Sequence, residues 1–312
     1  MNQHTFVIPA YKESPYLELC IQNLLAQTVK SNIIITTSTP NKYILDLASK
    51  YNPPYFINEG SAKGIAADWN FALSKSITAL TTIAHQDDIY LPNFTETVLN
   101  SITSKGKDVL IAFTNYQDLI LSELRGFSLN HVVKKILLFP FMLKNNIESV
   151  FLKKIVLAFG DPIGCPTVTF NLTKLKSFSF SNNYDCILDW FAWYELAAQK
   201  GSFLYINQSL LLHRIHTGSE TTNSIENGKR KTEEELVFTP ELVDNPKELK
   251  TGEEVSNLTG NPISYINEEL LFAKYNTDDI TQTTIDGKYI VDLIKEKIIN
   301  ETPISLVGSS NN

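Results

Sequence analysis

The chain has 312 residues, of which 43% are hydrophobic and 20% charged, so it can bury a sizeable core without disulfides or structural metals. Its formal net charge of -7 argues against nucleic acid as the main partner, because neutralising phosphates requires a basic surface. The polar start argues against a signal peptide, and the lack of a long apolar run argues against a transmembrane helix. The odd number of cysteines, three, favours free thiols, and a cytoplasmic location is therefore expected.

The first part of the sequence alternates short apolar runs with amphipathic stretches. Strands are predicted at 5–8, 33–37, 55–58, 81–84 and 109–113. Helices are predicted over 41–51, 65–75 and 93–105. A further helix is predicted to begin with Ser14 as its N-cap and Pro15 in its first position. This alternation predicts parallel βαβ units, and hence an α/β fold with a mostly parallel sheet flanked by helices.

The later part of the sequence is less regular. Residues 125–158 are rich in Leu, Ile, Phe and Lys and predict two amphipathic helices broken by Pro140. Next, a strand is predicted at 167–171, a helix over 186–199, and strands at 203–206 and 210–214. Beyond these, a helix is predicted over 221–236, a linker over 241–261, and helices over 264–275 and 288–300. The predicted organisation is one domain over 1–236, with 125–158 as an insert, followed by a linker and helical extension over 237–312.

Chemistry is expected beyond the carboxyl ends of the strands, where open α/β sheets bind their ligands. The most specific segment there is His85-Gln86-Asp87-Asp88, in which two adjacent carboxylates follow an apolar strand. Carboxylates hold Mg²⁺ together with substrate phosphates, and such a metal can stabilise a diphosphate leaving group. The alternative is that Asp87 and Asp88 merely cap the next helix.

Several segments, in the same order, resemble the motifs of family 2 glycosyltransferases, and in particular those of the bacterial branch that assembles surface polysaccharides. The segments are Phe6 to Glu13, Asp68 to Leu73, His85 to Asp88, Phe159 to Pro166, Leu188-Asp189-Trp190 and His213-Arg214-Ile215-His216. The resemblance covers about residues 5–235 and implies the GT-A nucleotide-diphospho-sugar transferase fold. Two features depart from the family pattern. The second strand ends in Thr36-Thr37-Ser38-Thr39 rather than an Asp-rich turn, and His85 takes the first acidic position of the metal signature.

The resemblance implies a divalent metal, Mg or Mn, and a nucleotide-sugar donor. Asp88 is expected to be the main metal ligand, and His216 to complete the metal or diphosphate site. Tyr11 is expected to lie against the base and Glu13 to accept from the ribose, while the donors of Arg214 suit phosphate oxygens. The full predicted set of donor-binding residues is Pro9, Tyr11, Glu13, Lys63, Asp68, Asp87 and Arg214. The alternatives are plain packing for Tyr11, a solvated helix position for Asp68 and a structural histidine at 216.

Asp189 resembles the catalytic base of the family and is the candidate for an inverting transfer, which needs a carboxylate close to the acceptor hydroxyl. Asp185, four residues earlier, is the reserve candidate, and the alternative for Asp189 is an ordinary surface acid. The aromatic residues within 190–194 are expected to pack mainly in the core, with some available to stack on sugar rings.

The predicted function is an inverting, metal-dependent, hexosyltransferase-like enzyme that acts on a glycan acceptor, in particular a lipid-linked one, in capsule or other surface-polysaccharide synthesis. The basic, apolar stretch 125–154 predicts peripheral contact with the inner membrane surface. Its alternative is a helical subdomain with solvated lysines. Two other functions stay open. One is a non-catalytic partner subunit, which His85 and the missing Asp-rich turn favour. The other is a nucleotidyltransferase, which the lack of glycines in 10–14 disfavours.

Overall fold

The structure, a computed structural model, describes residues 2–106, 108–120, 123–124, 129–158, 160–216 and 233. Its strands are β1 (His4–Ala10), β2 (Asn32–Thr37), β3 (Tyr55–Ile57), β4 (Leu80–Ile83), β5 (Ile89–Tyr90), β6 (Val109–Ile120), β7 (Glu123–Leu124), β8 (Asn146–Ile147), β9 (Val168–Asn171) and β10 (Ser202–Ile215). Its helices are α1 (Leu17–Leu25), α2 (Lys42–Tyr51), α3 (Ile65–Ser74), α4 (Phe94–Lys105), α5 (Leu129–Leu137), α6 (Phe139–Leu143), α7 (Val150–Ala158) and α8 (Leu188–Ala197). The predictions for 221–236, apart from Glu233, and for 237–312 lie outside the described residues.

A single mixed sheet connects the strands of this part of the chain, in the order β3-β2-β1-β4-β9-β6-β10-β5. The strands β3, β2, β1 and β4 pair in parallel, as do β6 and β10. Strand β9 lies between β4 and β6 and is antiparallel to both. The predicted α/β fold with a mostly parallel sheet is therefore confirmed. Strand β9 is antiparallel within it, and the two-residue strands β5, β7 and β8 also pair antiparallel.

Strand β1 shows why the sheet needs helices on both faces. Its residues Phe6, Val7 and Ile8 are all fully buried, as expected for a central parallel strand. Because side chains alternate along a strand, Phe6 and Ile8 join the core under α1 and α2, whereas Val7 joins the core that contains Trp69 of α3. These two cores hold the carboxyl ends of the parallel strands at one edge of the sheet.

The start of α1 differs from the prediction. The helix begins at Leu17, and the N-cap position is occupied by Tyr16, which has no capping side chain. The Ser14 hydroxyl instead accepts a 3.3 Å hydrogen bond from the backbone N–H of Tyr16, two residues on. Serine hydroxyls form such local turns as readily as helix caps. In α2 the cap agrees with the predicted start, because the Asn41 side chain accepts from the N–H of Ile44.

The insert also departs from the prediction, because α5, α6 and α7 replace the two expected helices. Pro140 lies in the first turn of α6 rather than at a break between two helices. A proline is tolerated there because the first N–H groups of a helix have no partner within it. None of the helices in the described ranges is long and apolar enough to span a membrane.

Strand β10 is continuous where two separate strands were expected. Its pairing with β6 shifts register between Ile206 and Ser209 and again between Ser209 and Leu211. The exposed polar residues between them, Asn207 and Gln208, resemble a turn in the sequence but form an irregularity within the strand. The continuous strand carries Arg214 and His216 to the sheet edge where the candidate site lies.

Candidate active site

The ends of β1, β2 and β4 are joined by hydrogen bonds. The backbone N–H of Tyr11 donates to Oε1 of Gln86 (3.0 Å), and Nε2 of Gln86 donates to the backbone carbonyl of Tyr11 (3.2 Å). The N–H of Lys12, a residue with a left-handed φ of 53°, donates to Oγ1 of Thr39 (2.7 Å). The predicted convergence of these segments is therefore present in the structure, and Gln86, to which the sequence assigned no role, provides part of the connection.

Asp68 connects two further strand ends to α3. Its Oδ2 accepts a 2.7 Å hydrogen bond from the hydroxyl of Ser38, and its Oδ1 accepts a 2.9 Å hydrogen bond from Nδ2 of Asn58. Ser38 follows β2 and Asn58 follows β3, so the carboxylate lies inside the crevice. The side chain is half-buried and bonded to two neighbours, which disfavours the alternative of a solvated helix position. The serine that replaces the family's Asp-rich turn is a direct partner of this carboxylate.

The loop after β4 brings together a group able to hold a metal ion. His85, Asp87 and Asp88 each offer a ligand atom, and these atoms lie within 4.8 Å of one another. Asp88 is only 1% exposed, and its Oδ1 accepts a 2.9 Å hydrogen bond from the backbone N–H of Arg214. Oδ2 of Asp88 and Nε2 of His85 are buried and have no hydrogen-bond partner among the described residues. Neither aspartate caps a helix, because β5 follows them and Asn93 precedes α4.

The electrostatics of this group fit a divalent cation. Burial raises the pKa of Asp88 to about 7 and lowers the pKa of His85 to about 4. The positive charges of His213 and Arg214 offset the cost of burying the Asp88 carboxylate only in part, and a bound cation would offset more of it. An imidazole that stays neutral is the form that binds metals. The orphaned Asp88 oxygen, the unpartnered His85 nitrogen and the nearby Asp87 carboxylate therefore form a suitable donor set for Mg²⁺ or Mn²⁺.

The end of β10 is fastened to the same loop by two side chains. Nε of Arg214 donates to the backbone carbonyl of Asp87 (3.0 Å), and the guanidinium lies 4.4 Å from the centre of the Tyr16 ring. Nε2 of His216 lies 2.9 Å from Oδ2 of Asp87, and its ring is 5.2 Å from that of Tyr16. His216 therefore contacts Asp87 within the group that contains Asp88, and Tyr16 is a further component that the sequence did not suggest.

A second histidine of β10 lies close to this group. Nδ1 of His213 is 3.2 Å from Oδ1 of Asp118 in β6. Burial lowers the pKa of His213, but the Asp118 hydrogen bond and the negative charges of Asp88 and Asp118 outweigh it, and the net pKa is raised. The sequence could not place Asp118 here, because β6 was expected to end at Phe113.

The candidate base lies in the first turn of α8, where Oδ1 of Asp189 accepts from the backbone N–H of Trp190 (2.9 Å). Burial raises the pKa of the Cys165 thiol well above its usual value, and the charges of Asp189, Asp161 and Asp88 raise it further. The charges of Asp88, in the loop after β4, and of Asp189, in α8, therefore both act on this one thiol.

The remaining predicted residues line the rim of the crevice or the core. Tyr11 is 44% exposed, Glu13 and Lys63 are also exposed, and Pro9 is half-buried in β1. Their roles toward the donor stay predictions. In α8, Trp190 and Trp193 are 2% and 0% exposed, and their indole N–H groups donate to backbone carbonyls. Both tryptophans are therefore core residues.

Known proteins resemble this chain in sequence motifs and in fold. Residues 5–147 match the family model described as glycosyl transferase family 2. The resemblance to family 2 glycosyltransferases that the motifs indicate is therefore confirmed, and the fold is that of the GT-A glycosyltransferases. No curated protein sequence matches the chain.

Solved structures of similar fold share little sequence with this chain. A Staphylococcus aureus TarS fragment, residues 1–349 in complex with UDP-GlcNAc, is 13% identical with a TM-score of 0.59, over 96% of this chain and 81% of the fragment. The longer S. aureus TarS is 12% identical with a TM-score of 0.54, over 90% of this chain and only 46% of TarS. Glucosyl-3-phosphoglycerate synthase from Mycobacterium tuberculosis, in complex with Mn²⁺, UDP and glucosyl-3-phosphoglycerate, is 13% identical with a TM-score of 0.50, over 76% of this chain and 79% of the synthase.

Proposed function

We propose that the protein transfers a sugar from a nucleotide-sugar donor to a glycan acceptor, with inversion at the anomeric carbon. The observation that carries this proposal is Asp88, a buried carboxylate with one unpartnered oxygen, in a group with His85 and Asp87 at the carboxyl ends of the strands. This is where open α/β sheets bind nucleotides. A divalent cation bound there would neutralise a nucleoside diphosphate, and these three side chains are suitable ligands for one.

On the donor side, Asp68 supplies a carboxylate held in the crevice by Ser38 and Asn58. Tyr11 offers an exposed aromatic face at the end of β1, on which a base can stack. Arg214 brings a positive charge to the metal loop, with its orientation fixed by the Asp87 carbonyl and the Tyr16 ring. Of these groups, Arg214 suits the negatively charged diphosphate, whereas Asp68 and Tyr11 suit the nucleoside. Together they orient the donor before any bond breaks.

A divalent cation bound by Asp88, Asp87 and His85 would neutralise the charge that develops on the departing diphosphate. The chain's own part is to keep this site dry and anionic. Asp88 is almost fully buried, and its geometry is fixed by the N–H of Arg214. Mn²⁺ in the mycobacterial synthase complex makes this ion the first metal to test, and UDP-GlcNAc in the TarS complex suggests the first donor.

On the acceptor side, Asp189 is the proposed general base. The acceptor hydroxyl loses its proton to this carboxylate as its oxygen attacks the anomeric carbon, and the nucleoside diphosphate departs from the opposite face. The first turn of α8 holds the carboxylate, and its charge acts on the same Cys165 thiol as that of Asp88. Asp185 stays the reserve candidate, and its Oδ1 lies beside Gly64 at the start of α3.

The acceptor is proposed to be lipid-linked, which brings the protein to a membrane surface. The insert supports this, because Leu143, Val133 and Met142 are 69%, 47% and 42% exposed. Lys135 and Lys144 are exposed in the same insert. Exposed apolar side chains with neighbouring lysines are typical of interfacial contact with anionic lipid.

Lys153 does not belong to this surface, and the prediction is corrected there. Its side chain is fully buried, and Nζ donates to the backbone carbonyls of Gln199 and Gly201, each over 2.8 Å. Arg125, which was included in the same basic stretch, lies outside the described residues. The proposed membrane surface is therefore smaller than the sequence suggested.

The reaction is tested by incubating the purified protein with UDP-, GDP- and dTDP-sugars, in Mn²⁺ or in EDTA, and measuring nucleoside diphosphate release. Release from one donor that needs Mn²⁺ and is lost in Asp88→Asn supports the proposal. If a donor binds but no nucleoside diphosphate is released, either to an acceptor or to water, the result favours the non-catalytic partner subunit. Release of pyrophosphate from a nucleoside triphosphate and a sugar phosphate favours a nucleotidyltransferase.

A further inference from the structure

A carboxylate from far along the chain lies against the segment that leads into α8. Glu233 is 7% exposed, and its side chain accepts hydrogen bonds from consecutive backbone N–H groups. Asp185 N–H lies 3.1 Å from Oε1, while the N–H groups of Cys186 and Ile187 lie 2.8 Å and 3.2 Å from Oε2. The donors immediately precede Leu188, the first residue of the helix.

Glu233 binds the backbone that leads into the helix, in contrast to an N-cap side chain, which accepts from N–H groups of the first turn. Ile187 occupies the N-cap position of α8 and has no polar side chain, so it cannot accept from an N–H group of this segment. An anion is favoured at this end of a helix, and hydrogen bonds to an ionised carboxylate are stronger than neutral ones. The turn over 185–187 therefore takes its shape from a residue whose sequence position is 46 beyond Ile187.

We propose that Glu233 is a positioning residue for the transfer reaction, because it fixes the turn that carries Asp185 and sets the start of the helix that carries Asp189. This inference rests on the proposed function, in which Asp189 takes the acceptor proton. Asp189 lies two residues beyond Ile187, in the first turn, so its carboxylate moves with the backbone of the turn. A shift of the base by about 1 Å costs about 100-fold in rate, because the attacking oxygen and its base need a defined separation.

The donor side and the acceptor side of the site are held in place by different residues. The donor groups Asp88, Asp68 and Arg214 are held by strand ends and by one another, with no bond to Glu233 among those found in the described residues. Loss of Glu233 should therefore disturb the base and spare the donor. This asymmetry distinguishes a positioning role from a general contribution to stability.

The test compares Glu233→Ala and Glu233→Gln with the unmodified chain by three measurements: amide hydrogen exchange at Cys186 and Ile187, donor affinity by calorimetry, and kcat and KM for transfer. In Glu233→Ala we expect exchange at both amides to accelerate about 10-fold or more, as in local opening. We expect kcat to fall about 10- to 100-fold, with donor affinity within about 2-fold. Glu233→Gln keeps an accepting oxygen and should recover most of kcat.

Glu195→Ala is the matched control, since it removes an exposed acid from the same helix and should change none of these quantities. Unchanged exchange in Glu233→Ala overturns the inference, as does unchanged kcat despite faster exchange. A parallel loss of donor affinity also overturns it, because it indicates general unfolding. If the unmodified chain turns over and Glu233→Ala turns over equally fast, only this inference is contradicted and the proposed function stands. Absence of turnover in the unmodified chain contradicts the proposed function and this inference together.

Discussion

The backbone N–H of Arg214 donates a 2.9 Å hydrogen bond to Oδ1 of Asp88, and this bond fastens the end of β10 to the loop after β4. It satisfies one oxygen of a buried carboxylate and leaves Oδ2 facing the site with no partner among the described residues. Oδ1 of Asp88 therefore helps to hold the fold together, whereas Oδ2 is available to bind a metal ion. Substitutions can address the two separately.

The first prediction concerns Asp88→Asn. The Asn carbonyl oxygen can still accept from Arg214. The substitution also removes a carboxyl group whose pKa is raised by burial to about 7. We expect a melting temperature equal to or above that of the unmodified chain, together with a loss of metal-dependent transfer of about 100-fold or more. Asp88→Ala, which also removes the acceptor, should lose the same activity and melt lower. Retained transfer in a folded Asp88→Asn would contradict the assignment of Asp88 as a metal ligand.

The second prediction concerns Arg214→Lys, which keeps the positive charge but removes the planar guanidinium. The variant loses the Nε bond to the Asp87 carbonyl and the stacking on Tyr16. We expect donor affinity, measured by calorimetry, to fall about 10-fold, which corresponds to about 1.4 kcal/mol. Tyr16→Phe is the control, because it retains the ring and should bind donor normally. Equal donor affinity in Arg214→Lys would show that charge alone matters at this position.

The third prediction concerns Asp68→Asn and the binding of the nucleotide-sugar donor. Asp68 accepts from both Ser38 and Asn58. A neutral amide can keep both contacts, because the Ser38 hydroxyl can turn to accept, so the substitution chiefly removes the negative charge. We expect donor KM to rise about 10-fold with kcat changed less than about 2-fold, since the residue contributes binding rather than chemistry. Ser38→Ala, which removes one donor and keeps the carboxylate, should have a smaller effect. A fall in kcat at constant KM would place Asp68 in the chemical step instead.

Some of this site was predictable from the sequence, and the reasons are local. Asp87 and Asp88 follow an apolar strand, and Arg214 and His216 end a run of apolar residues, so their positions at a sheet edge follow from periodicity. The fold was predictable for the same reason, because strands such as β1 contain an apolar run and are separated by amphipathic helices. The positions of β7, β8 and β5 were not, since two-residue strands have no periodicity to detect.

Other parts of the site depend on contacts between distant positions and leave no local pattern. Asp118 pairs with His213 across 95 positions, and Glu233 reaches Cys186 across 47. The second half of β6 is polar, from Asn115 to Asp118, and resembles a loop although it pairs with β10 throughout. Asp118 is polar because it pairs with His213, and Asn115 because it bonds to Asn207 and Tyr205, so the apolar pattern typical of a buried strand is missing here.

The fourth prediction concerns the insert and lipid. Lys135→Glu with Lys144→Glu reverses two exposed charges of the insert, which also exposes the apolar side chains of Leu143 and Met142. If this surface contacts anionic lipid at about 1 kcal/mol per lysine, cosedimentation with vesicles containing phosphatidylglycerol should fall about 10-fold or more in the double variant. Lys42→Glu with Lys50→Glu, at exposed positions in α2, is the control and should bind as the unmodified chain does. Equal binding by both double variants would contradict a membrane role for the insert.

The last prediction concerns His4, a fully buried histidine at the start of β1. Its ring nitrogens lie 2.9 Å from Oγ of Ser31 and 3.0 Å from Oγ1 of Thr82, and burial lowers its pKa from 6.5 to about 3. The folded state therefore binds fewer protons than the unfolded state between these values, so folding stability is complete above pH 6.5 and decreases below it. Each pH unit below 6.5 should remove up to about 1.4 kcal/mol through this residue.

His4→Gln should therefore reduce the pH dependence while it lowers stability at neutral pH, where it loses the edge contact with Phe6. The measurement is urea unfolding of both proteins at several pH values between 4.5 and 7.5. Thr82→Ala removes one hydrogen-bond partner but keeps the titrating ring, so its pH dependence should stay as steep as that of the unmodified chain. If His4→Gln shows the same slope as the unmodified chain, proton uptake by another group controls acid unfolding, and the buried neutral state of His4 does not.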